Sequence, residues 1–255
     1  DPLSFPRRYP DPRDREVVGL LAASFAFGRV ASLMAVIERL LVRLGPTPAS
    51  RLEELDVQGC LAVADGLRHR FVGPVETAGL LAAIGRRLRT DGGLEPSFLR
   101  GFRSDKDTVR GLASLAASLR SPDPGIPDPG FLVPLPGTSS PAKRLNLFLR
   151  WMVRDDGIDL GLWRDVPTDH LLVPLDVHVC RIARRMGLLR DRRSGPRMED
   201  ARDLAQALKA FDPADPVRFD FALSHLGISG GCVASRDAAP CGRCDLRGAC
   251  ALGTA

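Results

Sequence analysis

Apolar residues along this chain recur at the three- and four-residue intervals of a helix face, and the alternating β-branched runs of strands are missing. Asp14 stands where it can cap a helix through "REVVGLLAASFAF". Gly28 interrupts before "VASLMAVIERLLVRLG", which closes on Gly45-Pro46. Ser50 and Glu53 have the spacing of a capping box ahead of "LDVQGCLAVADGL". The helical pattern continues in "VETAGLLAAIGRRLR" and "DTVRGLASLAASLR". Seven prolines between Ser121 and Pro141 then forbid a helix interior or a central strand. Beyond them "AKRLNLFLRWMVR" carries Leu145, Phe148, Leu149, Met152 and Val153 on one stripe. "VHVCRIARRMG", "MEDARDLAQALKAF" and "PVRFDFALSHLG" predict three more helices. No internal repeat interrupts this order, and the expected fold class is all-α.

Length adds that 255 residues suffice for one large domain or two small ones. No apolar run reaches the roughly 18 residues of a membrane span, so no membrane partner is expected. The opening "DPLSFPRRYPDPRD" has no apolar signal core, which leads to the expectation of a cytoplasmic, nucleoid-associated protein. A formal charge of +5 suits a polyanionic partner without specifying one. Only three of the 36 basic residues are lysines, namely Lys106, Lys143 and Lys209. Arginine fills the generic cationic positions, and an amine can lose its proton and attack where a guanidinium cannot.

Cysteines change the picture more. Cys232, Cys241, Cys244 and Cys250 fall in "CVASRDAAPCGRCDLRGAC", separated by eight, two and five residues. The central C-x2-C pair lets two thiolates reach one centre from a tight turn, and the outer two complete four ligands. Such a set holds either zinc or an iron–sulfur cluster, and spacing does not choose between them.

A terminal segment of this form after "ALSHLGISGGC" resembles the cluster loop of the endonuclease III branch of the helix-hairpin-helix DNA glycosylases, although its first gap is longer. The resemblance implies a [4Fe–4S] cluster, with zinc as the alternative. It also implies a basic loop against DNA phosphates, placing Arg236, Arg243 and Arg247. Within "PLDVHVCRIARRMGLL", Asp176 matches the family's catalytic aspartate, and by local pattern it is equally a helix N-cap. Lys143 in "LPGTSSPAKRLNLFLRW" matches the lysine of the bifunctional members. Leu135-Pro136-Gly137 resembles the start of the hairpin whose amides meet a DNA phosphate. The wording of nearly the whole chain further resembles a bacterial group of uncharacterised proteins, the DUF2400 family.

The glycosylase resemblance implies a two-lobed fold: a helical barrel over 16–160 with the hairpin and Lys143, and a second lobe of 1–15 and 161–255 with Asp176 and the cysteines. The reaction it implies is base excision from double-stranded DNA by a monomer, with an AP-lyase step through a lysine Schiff base. The 33-residue interval from Lys143 to Asp176 resembles that of archaeal 8-oxoguanine glycosylases, making an oxidised purine the first substrate expectation. Alternatives are a glycosylase for damaged pyrimidines and a non-catalytic iron–sulfur DNA-binding protein. Further DNA or base contacts are expected at Ser24 and Phe25, which match a loop that fills the base stack. Asn146, Arg150 and Arg154 share the helix face of Lys143. His178 lies beyond Asp176, and Asp220 and His225 lie on the helix that approaches the flipped base in purine-specific relatives.

Overall fold

A computed structural model describes the chain except residues 121–124, 138–139, 191–194, 229–231, 233–240, 243, 245 and 251–255. The described residues are helical and contain no strand, as the periodicity predicts. Among the described residues, eleven α-helices follow one another along the chain. They are α1 (Pro12–Ser24), α2 (Val30–Leu44), α3 (Pro48–Glu54), α4 (Val57–Ala64), α5 (Pro74–Asp91), α6 (Glu95–Phe102) and α7 (Thr108–Leu119), followed by α8 (Lys143–Val153), α9 (Val177–Arg185), α10 (Met198–Leu208) and α11 (Asp220–Ile228).

Two helix starts differ from the pattern. Proline at the first helical position fixes φ and lacks only an amide that would go unbonded anyway. Pro12 therefore opens α1 behind Asp11, whose carboxylate accepts from Arg13 N at 2.8 Å. The expected cap Asp14 lies inside the helix, buried, and accepts from Ala49 N at 2.7 Å. Pro48 likewise opens α3, so Ser50 is helical rather than a cap, and α4 is capped by Asp56 through Gly59 N.

The chain divides into two units. The first comprises Asp1–Pro136 and Leu147–Val166, the second Gly137–Asn146 and Pro167–Ala255. This division groups residues 1–15 with the first unit and the segment bearing Lys143 with the second, unlike the lobes expected from the resemblance.

In the first unit, Leu20, Leu21, Ile37, Leu40, Leu80 and Leu81 form the buried faces of α1, α2 and α5. The antiparallel neighbours α6 and α7 approach closely because a Cβ on Gly101 would strike the Arg110 carbonyl, and one on Gly111 the Phe98 ring. Glu16, buried on α1, accepts from Leu94 N and Glu95 N at the start of α6 and from Trp163 Nε1 at 2.7 Å. One carboxylate thereby ties three distant segments.

In the second unit, α9 packs on α11. A Cβ on Gly227 would lie 3.1 Å from Ile182 Cδ1 and 3.4 Å from His178 Cβ, so the two helices approach closely at this glycine. Val179, Ile182 and Ala183 of α9 are buried with Leu204 and Leu208 of α10 and Leu223 of α11. At the N-terminus of α9, Val177 and His178 are exposed.

Candidate active site

The second unit brings the scarce lysine to the predicted aspartate. Lys143 opens α8, and its Nζ donates to Asp176 Oδ2 at 2.8 Å across 33 residues of sequence. Asp176 precedes α9 in extended backbone, and its other oxygen accepts from His178 N and Val179 N, each at 2.9 Å. One oxygen of this aspartate caps a helix and the other meets an amine. Burial acts to raise its pKa. The nearby Lys143 charge, the Lys143 hydrogen bond and the two amides outweigh that and hold it below the usual carboxylate range. The pair is open to water, with side-chain exposures of 40% for Lys143 and 27% for Asp176. An ion pair so placed is worth little for stability.

The backbone just before Lys143 is unusual. Ala142 is buried at φ 45°, left-handed space that an L-residue with a Cβ enters at a cost. Its carbonyl accepts from Leu145 N at 3.0 Å and Asn146 N at 3.1 Å, opening the helix that presents the amine. Asn146, 1% exposed, donates Nδ2 to Pro141 O at 2.8 Å, while its Oδ1 is buried with no partner among the described residues. Strain and an unsatisfied acceptor thus sit within four residues of the candidate nucleophile, where such costs are found at functional positions.

The other expected contacts are distributed differently. Arg150 and Arg154 do not face outward: they clamp buried Asp159, Arg150 Nε at 3.0 Å and Arg154 Nη1 at 2.7 Å from its Oδ2, all in the first unit. Ser24 and Phe25 are also interior to that unit, 2% and 1% exposed, and the Phe25 ring meets His69 at 6.0 Å. A side chain so enclosed has no face to offer a base stack. Gly137 is exposed and paired in an isolated bridge with Ser140, while Thr138 and Ser139 lie outside the described residues.

His178 is exposed and contributes its backbone amide to Asp176; its ring makes no hydrogen bond among the described residues. Asp220 is buried at the start of α11. His225 is exposed one turn from Phe221, and their rings stack at 5.1 Å and 26°. Phe221, 66% exposed, had no marker in the sequence, since an apolar residue on a helix ordinarily reads as core.

The four cysteines are free thiols. Cys232 Sγ accepts from Arg185 Nη1 at 3.5 Å, and Cys250 Sγ donates to Arg185 O at 3.3 Å, so the first and last of the set meet one residue at the end of α9. Cys244 N donates to Cys241 O at 3.3 Å, which closes the central turn. Four thiols with a guanidinium beside one sulfur fit a thiolate-bound centre in kind. Among the described residues, however, no group of three or more ligating side chains stands close enough to hold a metal. Arg247 is exposed in a 3-10 turn at Arg247–Ala249, and Arg236 and Arg243 lie outside the described residues. No helix among the described residues is long and apolar enough to cross a membrane.

A family model described as "Protein of unknown function (DUF2400)" matches residues 1–229, ending before Cys232. No curated protein matches the chain.

Proposed function

The chain belongs to the DUF2400 family, and from its paired Lys143 and Asp176 we propose that it is a base-excision DNA glycosylase with AP-lyase activity. The observation that carries this reading is the 2.8 Å contact between a helix-start amine and an ionised, helix-capping carboxylate, both reachable from solvent. A nucleophilic amine must first lose a proton, and Asp176 stands at hydrogen-bond distance to accept it or to share it. The same carboxylate, held ionised by the Lys143 charge and hydrogen bond and by two amides, can stabilise the cationic sugar that develops as the base departs.

A base cannot be reached inside the stack, so the damaged nucleotide is everted. Lys143 Nζ forms a bond to C1′, and the C1′–N bond breaks with its electron pair leaving on the base, which takes up a proton. Ring opening then gives a protonated imine between Nζ and C1′. Loss of a C2′ proton expels the 3′ phosphate and nicks the strand, and water frees the lysine.

The proposed lesion is an oxidised purine, 8-oxoguanine first, on the resemblance to the archaeal enzymes. The exposed Phe221–His225 stack supports a flat ligand in the second unit. Damaged pyrimidines, as for endonuclease III, are the alternative substrate, and a non-catalytic DNA-binding role is the alternative function. Cys232, Cys241, Cys244 and Cys250 would hold a [4Fe–4S] cluster, or zinc, which when bound supplies a covalent cross-link for the C-terminal segment. Iron and sulfide content with visible absorption separates the two metals.

The deciding experiment is borohydride trapping on duplexes carrying 8-oxoguanine, thymine glycol or an abasic site. The wild type should form a covalent adduct that Lys143→Gln does not. Equal trapping by both proteins would remove the mechanism, and no trapping on any lesion would leave the binding role.

A further inference from the structure

Three phenylalanines from separate segments of the first unit form a cluster that the proposed chemistry does not use. Phe27 follows α1, Phe71 sits in the turn before α5, and Phe131 lies in a 3-10 turn of the proline-rich segment. Each ring touches the other two: Phe27–Phe71 at 5.9 Å, Phe71–Phe131 at 4.7 Å and Phe27–Phe131 at 4.9 Å. Rings that cluster ordinarily bury one another, yet Phe71 is 61% and Phe131 47% exposed. The unit therefore exposes apolar ring surface to water, which is unfavourable.

The supports beneath it are built. Buried His69 donates Nε2–H to the Phe27 carbonyl at 2.6 Å and packs its ring edge-on to Phe27 at 4.5 Å. His69 and Val72 exchange both backbone hydrogen bonds at 3.0 Å, and the tight turn between them thrusts Arg70 and Phe71 outward. Arg70 is held at φ 56°, a left-handed conformation for a residue with a Cβ. Its side chain lies against Gly28, beside Phe27.

Charge identifies the partner. Arg29, Arg68 and Arg70 are exposed next to the rings in sequence, and their side chains form no ion pair or hydrogen bond among the described residues. Several other exposed arginines of this unit pair with carboxylates, among them Arg8 with Glu38 and Arg103 with Asp165. Unneutralised guanidinium groups around flat apolar rings match a polyanion that also offers flat faces. We infer that this face binds an unpaired nucleic-acid strand, its bases stacking on the phenylalanines and its phosphates meeting the arginines. A duplex offers the phosphates but keeps its base faces occupied by one another, so it satisfies only half of the surface.

The inference is independent of Lys143, since it needs neither lesion nor chemistry. The test is fluorescence anisotropy with a short labelled oligothymidylate, an oligouridylate and a duplex. At least one single strand should bind, and Phe71→Ala/Phe131→Ala should lose about tenfold or more on that strand while leaving duplex binding unchanged. The arm that binds identifies which sugar is accepted. Arg29→Gln/Arg68→Gln/Arg70→Gln should reduce the slope of log affinity against log salt by about 2. Phe71→Tyr keeps a ring and should keep binding, which separates loss of stacking from loss of fold. The inference falls if the double alanine variant binds both single strands as wild type does, whatever the duplex affinity. It also falls if light scattering shows a wild-type dimer that the alanines disperse, for then a second copy covers the face.

Discussion

Lys143 Nζ and Asp176 Oδ2 stand 2.8 Å apart within the second unit, joined by side chains from the starts of two different helices. Asparagine caps a helix as well as aspartate does, so Asp176→Asn keeps the bonds to His178 N and Val179 N while removing the charge. Its cost should fall on proton transfer and charge stabilisation, roughly 100- to 10,000-fold in the rate of borohydride-trappable adduct. Lys143→Gln should leave no adduct at all. An Asp176→Asn variant that forms adduct as fast as wild type would show the aspartate to be a cap alone.

The same substitution separates charge from capping in acid. Asp176 is depressed below its ordinary value of 3.8, so its ionised form is favoured by folding. That contribution is fully present above the unfolded value and is lost as pH falls through the lower folded one. Urea midpoints for wild type and Asp176→Asn should therefore converge below about pH 4. A constant gap down to the acid limit would mean that the charge contributes nothing.

Ala142 tests whether the lysine is presented by strained backbone. A β-branched side chain at φ 45° meets the following carbonyl, and the site is too enclosed to let it escape. Ala142→Val should cost about 2 kcal/mol or more in chemical denaturation. Ala142→Gly should change stability little, since relief of strain is offset by added unfolded-state entropy. The glycine variant should nonetheless form adduct more slowly, because the amine is then less firmly aimed.

Helix content, the α8 stripe and the cap at Asp176 were legible because each depends on residues a turn or less apart. The Lys143–Asp176 contact was legible only through resemblance, since no local rule joins residues 33 apart. Arg150 and Arg154 looked like an outward polar face; Asp159, just beyond the helix, turned them into a buried clamp. Phe25 read as a loop residue, yet it follows α1 directly and is packed under His69. The Phe27–Phe71–Phe131 cluster had no signal in the chain, because three single aromatics in three loops acquire meaning only when the fold gathers them. Pro12 and Pro48 moved two helix starts upstream, a local cue that outranked the acidic and hydroxyl residues behind them.

The Asp159 clamp gives a prediction free of any functional reading. Its carboxylate is fully enclosed and faces two guanidinium groups that are themselves buried. Removing one member of such a set leaves uncompensated charge, and Asp159→Asn should cost about 3 kcal/mol or more. Replacing the exposed Asp165, which pairs with Arg103 at 3.1 Å, should cost less than about 1 kcal/mol. Equal losses in thermal denaturation would contradict the buried placement.

Glu16 makes the opposite titration prediction to Asp176. Burial raises its pKa above the ordinary 4.5, and the bonds from Leu94 N, Trp163 Nε1 and Glu95 N recover only part of that. A carboxyl with a raised folded pKa stabilises the fold increasingly as pH falls from the folded value toward 4.5, since the native state then holds the extra proton. Glutamine has one acceptor oxygen for two positions, Oε1 receiving Glu95 N and Trp163 and Oε2 receiving Leu94 N. Whichever way the amide turns, a donor faces a donor, so Glu16→Gln should lose about 1–2 kcal/mol at neutral pH. The deficit should widen on acidification, because only the wild type gains by taking up a proton. A deficit that narrows as pH falls would show that the Glu16 charge, rather than its burial, governs how these three segments are joined.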